Sequence, residues 1–368
     1  MREQSAHCPP VRTLLGGILA ASLLSVGIVP SIVLAEDTEQ MIRDAVSFHD
    51  QQQYAKSVEL LKRVLELEPR NDRAAYELAY THQAAGDLES CVDVAGQALT
   101  RIRHEAGQSA IVPQLYVLLA SCHSSAGDTE RAIGVFRTAL EDYPDDYGLN
   151  FNIAITLTND GQHAEAIEYL KRAMDADPVH PSPYYIAGIN YGQREQGAMA
   201  VLAFLVFLQR EFNTDRCTAA AQAVFDIAFS RIETDPSSGK TTLYVDPQTD
   251  SDSQGTLTLT LGLSMAALAA APDGRVEEPV EKSLAGLLQS FVKLAAEFQP
   301  EPDTDTLLAS HLLPAVRRLE KEDVTEAFAY YVVRTAGVAS ADDWMDKHGS
   351  DVDALVGYFN RLAEVPQN

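Results

Sequence analysis

Apolar residues recur at helical spacing along two stretches within residues 147–180, and a polar break separates the two stretches. Gly161 lies in the break, after Asn159 and Asp160, and glycine readily adopts the backbone of a tight turn. Pro178 ends the second stretch because proline lacks a backbone donor and disfavours helix in the residue before it. The pattern predicts two helices joined by a turn. Its apolar positions are Phe151, Ile153, Ala154, Leu157, Ala166, Ile167, Leu170, Ala173 and Met174.

The same pattern recurs along the first half of the chain with a period of 34 residues. Gly127 and Pro144 stand 34 residues before Gly161 and Pro178. In the first unit, Gln51, Gln52 and Gln53 take the place of the turn glycine. About seven extra residues, 106–112, separate the second unit from the third. The predicted units are 38–71, 72–105, 113–146, 147–180 and 181–214.

This repeat resembles the tetratricopeptide repeat, a helix-turn-helix unit of 34 residues with small residues where its two helices meet. The resemblance implies an all-α solenoid of about five repeats over residues 36–214, in which the first helix of each repeat lines a concave face. The first unit departs from the pattern, as a terminal repeat can. A set of unrelated helical hairpins is the alternative interpretation.

The first helices of the predicted repeats define a candidate binding groove. Some proteins of this family grip a terminal carboxylate with cations and asparagines, but this lining has the asparagines without the cations. Aromatic, aliphatic and amide groups suit an extended peptide instead. In the alternative hypothesis, the C-terminal half of the chain fills the groove. The predicted peptide-binding residues are Tyr76, Tyr80, Phe151, Asn152, Ile155, Asn159, Tyr185 and Ile189, with Val117, Ser121, Ser124 and Gln193 beside them.

Residues 215–368 lack the repeat and predict a C-terminal helical domain with a small β-hairpin near 241–261. Thr alternates with apolar residues in 241–245 and 256–261, which is typical of strands, and 246–255 would join them. That loop resembles the start of a calcium loop but has Leu261 where the closing acid should stand, so we expect no metal. The predicted helices are 219–232, 277–298, 306–321, 324–336, 342–347 and 351–363.

Residues 1–35 have the features of a bacterial Sec-type signal peptide. Arg2 and Arg12 precede the apolar run 14–34. Ala35 follows Val33 and Leu34 at a small-residue cleavage site. We expect cleavage near Ala35 and a periplasmic or secreted protein with no stable membrane span. An uncleaved membrane anchor is the alternative.

Cleavage would leave three cysteines, which allow at most one disulfide within the chain. Cys91 and Cys122 lie in adjacent repeats, so a bridge between them is conceivable. We favour the alternative that they are free, small buried residues, because free cysteine packs as a small hydrophobe.

Charge and motifs narrow the function further. The formal net charge is −25 and becomes −26 without Arg2, Glu3 and Arg12. Such acidity disfavours nucleic acids and anionic membranes as partners. The sequence has no recognisable catalytic, phosphate-binding or zinc motif, and we expect no cofactor. We therefore predict a non-catalytic periplasmic adaptor that binds a peptide or protein segment. A self-assembling envelope protein is the alternative, and a hydrolase with an unrecognised C-terminal site is less favoured.

Overall fold

The structure, a computed structural model, describes residues 37–104, 110–235, 237–238, 240–243, 253–272, 275–300 and 307–363. The described residues from Thr38 onward form one compact unit. Their first ten helices pack as five consecutive pairs, which confirms the predicted all-α repeat architecture. The pairs are α1 (Thr38–Asp50) with α2 (Tyr54–Leu67), α3 (Asp72–Ala84) with α4 (Leu88–His104), α5 (Val112–Ser125) with α6 (Thr129–Asp142), α7 (Tyr147–Asn159) with α8 (His163–Ala176), and α9 (Ser182–Gln193) with α10 (Gly197–Leu208).

Capping and turn residues explain why the helices begin and end where they do. Asn71, Asp128 and Asp146 each precede a helix and accept a hydrogen bond from a backbone N–H of its first turn. Such caps satisfy donors that have no partner inside the helix. Within the pairs, the turn residue has a left-handed backbone, as at Gly161 with a φ of +76°. The polar break and the caps therefore set the helix boundaries.

The first helices form an inner layer, because α1, α3, α5, α7 and α9 each contact the next member of the series. The second helices pack outside them, as expected for a solenoid with a concave inner face. Small and bulky apolar residues fill the space between the layers. In the fifth pair, Phe204 covers Gly188 so closely that a Cβ atom on Gly188 would lie 2.6 Å from the ring.

A disulfide joins Cys91 of α4 to Cys122 of α5, with a Cα–Cα distance of 6.4 Å. The expectation that both residues would be free is therefore wrong, whereas Cys217 is free and buried. Both cysteines are fully buried where α4 packs on α5, so the contact between the two repeats places the thiols side by side. The bridge connects the second and third repeats across the point where the sequence period is interrupted.

The C-terminal half packs around α10, every residue of which is buried. The C-terminal helices are α11 (Asp215–Phe229), α12 (Ser253–Ala270), α13 (Val280–Glu297), α14 (Leu313–Lys321), α15 (Thr325–Thr335), α16 (Ser340–Lys347) and α17 (Gly349–Ala363). Helices α9, α11, α12 and α14 contact α10, as does a π-helical turn at Leu308–Leu312. One continuous hydrophobic core runs from the fourth repeat to α17.

The β-hairpin lies earlier than predicted and is shorter. Its strands are β1 (Ile232–Thr234) and β2 (Thr241–Leu243), which pair antiparallel with Ile232 opposite Leu243. The predicted second strand, 256–261, belongs to α12, so this prediction is wrong. Leu259 and Thr260 are both buried and Leu261 is exposed. In a strand with one buried face, neighbouring residues would alternate between buried and exposed. The predicted calcium loop lies largely outside the described residues.

Across the described residues, we find no helix that combines the length and apolarity needed to span a membrane.

Candidate peptide-binding groove

A groove with a volume of about 440 Å³ lies on the concave face where α3, α5 and the start of α7 converge. It gathers five predicted residues, Tyr76, Tyr80, Val117, Ser121 and Asn152. Sequence analysis missed the remaining lining residues, most of which lie at helix ends that the repeat pattern does not single out. These residues are Gln83, Pro113, Gln114, Leu118, Asp146 and Gly148.

An aromatic ladder extends from the groove toward the first repeat. The rings of Tyr76 and Tyr80 are nearly parallel with centroids 6.1 Å apart, and His49 stacks on Tyr80 at 4.7 Å. Tyr54 meets His49 edge-on at 5.5 Å. The Nδ1 atom of His49 lies 3.1 Å from the hydroxyl of Thr81, which orients the imidazole. Tyr80 is nevertheless 42% exposed, so one large aromatic surface faces solvent in the groove.

Charge in and beside the groove is negative. Asp146 caps α7 by accepting a hydrogen bond from the backbone N–H of Leu149 at 2.8 Å. Beside the groove, burial raises the pKa of Glu77, whereas the nearby Arg73 and His49 act to lower it. Of the described residues that line the groove, none is Lys or Arg. The groove therefore offers apolar walls, neutral polar groups and a carboxylate.

Two polar groups in the groove can meet a peptide backbone. Burial raises the pKa of the Tyr76 phenol, with Glu77 acting in the same direction, so the hydroxyl keeps its proton at neutral pH and can donate it. Asn152 donates one amide hydrogen to the carbonyl of Gly148 at 2.8 Å. Its second amide hydrogen and its carbonyl oxygen match the acceptors and donors of an extended backbone.

The other predicted residues lie along the concave face beyond this groove. Phe151 stacks on Tyr147 at 5.6 Å, with His180 6.4 Å away, and Tyr185 packs against Phe207 at 5.0 Å. Ile155 and Ile189 are half-buried, and Asn159 is exposed at the end of α7. The structure thus divides the predicted site into the groove at repeats two to four and a second aromatic cluster at repeats four and five.

A cation also lies beside the second cluster, although the repeat pattern predicts none on this face. Arg216 of α11 is 5.5 Å from the ring of Tyr185 and donates to the Ser182 hydroxyl at 3.2 Å. It also pairs with Glu211, which offsets its charge. Because Arg216 belongs to the helix after the last repeat, a pattern confined to the repeats could not find it.

Paired helices in two layers, with a groove on the inner layer, define a helical-repeat scaffold. A family model described as Tetratricopeptide repeat matches residues 48–111 and 114–187, which contain the groove-lining helices. These residues therefore form tetratricopeptide repeats, as the resemblance implied. Members of this family generally act as non-catalytic scaffolds for protein partners.

Several solved structures are similar to the repeat array. TTC0263, a thermophilic TPR protein of Thermus thermophilus, shares 18% identity over 51% of this chain and 98% of its own, with a TM-score of 0.41. MamA shares 16% over 47% and 91%, with a TM-score of 0.39. YrrB, described as a TPR protein with an unusual peptide-binding site, shares 19% over 52% and 86%, with a TM-score of 0.34. These similarities are too low to carry an argument about function. A comparison with curated proteins found no match.

Proposed function

We propose that this protein is a non-catalytic periplasmic adaptor that holds an extended segment of a partner protein in the groove. The observation that carries the proposal is the groove itself, in which Tyr80 is 42% exposed on the inner layer of a repeat array. A large aromatic side chain at such a position provides apolar contact area with little conformational entropy to lose.

The chemistry of the groove favours a particular kind of segment. Apolar side chains of the partner would pack on Tyr76, Tyr80 and Val117, and its backbone would pair with Asn152 and the Tyr76 hydroxyl. Asp146 in the lining and Glu77 beside it favour a segment with Lys or Arg over one with Asp or Glu.

The arrangement of the C-terminal half bears on the alternative in which this half fills the groove. All the lining residues of the groove lie between Tyr76 and Asn152. The described C-terminal helices contact the array mainly through α10, in its last repeat. This placement supports a groove that is open to a partner. We therefore favour an adaptor with an open groove over a protein whose C-terminal half fills the groove, and over a self-assembling envelope protein.

The export part of the proposal has separate support. Residues 1–35 have the pattern of a cleaved signal peptide, and the Cys91–Cys122 disulfide suits an oxidising compartment. Fractionation of cells, with mass spectrometry of the N-terminus, should find a periplasmic or secreted chain that begins at Glu36. A cytoplasmic chain that retains residues 1–35 would contradict the export proposal and leave the groove proposal standing.

Selection from a peptide-display library tests the groove. We expect enriched peptides to carry aromatic or aliphatic residues with Lys or Arg, and their binding to weaken at least about tenfold in Tyr80→Ala. Leu67→Ala is the matched control, because Leu67 is also 42% exposed but lies on a second helix. Selected peptides that bind Tyr80→Ala and the parent equally would overturn the assignment.

A further inference from the structure

A second pocket, with a volume of about 150 Å³, lies where the fifth repeat meets the C-terminal helices. The repeat array and the C-terminal half both contribute to its walls, so it exists only when the two are packed together. Its polar lining includes Tyr184, Gln209, Arg210, His311, Arg318 and Tyr358. The volume corresponds to about five water molecules at roughly 30 Å³ each, which is enough for one small polyatomic ion.

Arg210 is held in this pocket by neutral groups. Its guanidinium lies 4.3 Å from the centre of the Tyr184 ring. Its Nε donates to the carbonyl oxygen of Pro178 at 3.3 Å, and its Nη1 donates to that of Val206 at 2.9 Å. Burial lowers the pKa of Arg210, and Arg318 acts in the same direction. The group is thus held in place, partly buried, and near a second cation.

Arg318 of α14 is the second guanidinium that lines the pocket, and it is exposed. Among the described residues, neither Arg210 nor Arg318 forms an ion pair, and no carboxylate lines the pocket. The sequence has 53 Asp and Glu residues but only 28 Lys and Arg residues. A pocket lined by two arginines and no acidic residue is therefore unusual for this chain.

Three carboxylates act on tyrosines of the pocket without lining it, namely Asp175, Asp177 and Glu322. Asp177 accepts a hydrogen bond from the backbone N–H of Val179 at 3.3 Å. Asp175 lies 2.8 Å from the Nε2 atom of His311 and also pairs with Lys171. Glu322 pairs with Arg361. The hydroxyls of the pocket have acceptors as well, since Tyr184 donates to Pro178 and Tyr358 donates to Gln209. The two guanidiniums therefore provide the pocket with positive charge that its own residues leave uncompensated.

We propose that this pocket binds a small oxyanion, a phosphate or carboxylate group, between Arg210 and Arg318. Guanidinium groups present planar sets of N–H donors that match the oxygen atoms of such groups. A bound anion would connect the end of the repeat array with α14, so it would stabilise the packing of the C-terminal half. This proposal does not depend on peptide binding in the groove.

Isothermal titration calorimetry of the purified protein tests the proposal. Sodium phosphate and sodium succinate are titrated separately, with sodium chloride at matched ionic strength as the blank. We expect saturable binding of one or both anions, with a midpoint of thermal unfolding that rises with their concentration. Binding of phosphate alone, or of succinate alone, would support the site and assign its ligand group.

Two variants on α14 provide the decisive contrast. Arg318→Ala should weaken binding roughly tenfold or more, because it removes one of the two charged donors. Lys321→Ala removes the same charge from an exposed position that does not line the pocket, and should bind as the parent does. Circular dichroism checks that both variants fold. Absence of saturable binding in the parent, or equal weakening in the two variants, would overturn the proposal.

Discussion

A single residue in each turn of the array has a left-handed backbone, and it is not always glycine. Gly86, Gly127 and Gly161 occupy this position in the middle repeats, where glycine adopts it without strain. Gln52 occupies it in the first repeat with a φ of 59°, and Glu195 in the fifth with a φ of 60°. The two terminal repeats therefore keep the turn geometry with residues that adopt it at a cost of about 1–2 kcal/mol.

Gln52→Gly should stabilise the protein by removing this backbone strain. We expect the free energy of unfolding to rise by about 1 kcal/mol, less the added entropy of the unfolded chain. Urea unfolding measures the change. Gln51→Gly is the matched control, because Gln51 lies in the same turn without a positive φ and glycine there should lower the free energy of unfolding. Equal effects of the two substitutions would contradict the account of the turn.

The contact between His311, whose side chain is largely buried, and Asp175, which is exposed, predicts a pH dependence of stability. Burial lowers the pKa of His311, with Lys171 and Arg210 acting in the same direction and Asp175 opposing them. The folded protein therefore takes up a proton at His311 less readily than the unfolded chain, whose histidine pKa is about 6.5. The contribution of His311 to stability is complete above about pH 6.5 and decreases as the pH falls below it.

The measurement is the free energy of unfolding at about pH 7.5 and about pH 5.5, on either side of the unfolded histidine pKa. We expect the free energy of unfolding to be lower at the acidic pH than at the neutral one. The decrease should be smaller in His311→Gln, because glutamine cannot titrate. The pKa of Asp175 is lowered by hydrogen bonds from His311 and Lys171 against the effect of burial, so its contribution is lost at still lower pH. An equal pH dependence in the parent and the variant would show that His311 is not responsible.

The helices differ in how far their own residues specify them. The repeat helices follow from apolar spacing, caps and turn residues, all of which act within about 15 residues, so the sequence predicts them well. The segment 256–261 alternates as a strand would, yet it forms the first turns of α12, because Leu263, Ala266 and Ala267 continue its buried face at helical spacing. The packing of α12 on α13, α10 and α11 therefore favours the helix over the strand.

The Cys91–Cys122 disulfide links α4 to α5 across a sequence separation of 31 residues. Cys91→Ala/Cys122→Ala should lower the free energy of unfolding by about 3–4 kcal/mol, since a loop of about this size closes with that entropy. Urea unfolding with and without a reductant measures the effect. The reductant should destabilise the parent to a similar degree and leave the double variant unchanged. If complete reduction left the free energy of unfolding of the parent unchanged, the disulfide would have no stabilising role.

At the scale of the whole molecule, the C-terminal half completes the array. Helix α10 is apolar throughout, and helices of the C-terminal half cover the faces that the fifth repeat leaves open. The groove helices could be predicted from the repeat, and Tyr76, Tyr80 and Asn152 with them. The second pocket could not, because Arg210 and Arg318 are 108 positions apart and only the docking of the two halves brings them together.

Removal of residues 215–368 should make the array aggregate, because it exposes the apolar faces of α10. Sedimentation and binding of a hydrophobic dye compare the truncated protein with the full chain in the same buffer. We expect the full chain to remain dispersed and to bind little dye. A truncated protein that is monomeric and binds no more dye than the full chain would show that the C-terminal half is dispensable for covering α10.

The central claim is that a partner occupies the groove beside Tyr80. Photo-crosslinking tests it most directly, with p-benzoylphenylalanine in place of Tyr80 in one protein and in place of Leu67 in another. The two positions are equally exposed, but only the first lines the groove. In the cells that make the protein, we predict a defined crosslinked partner from position 80 and none from position 67. The same adducts from both positions, or none from position 80, would contradict the claim.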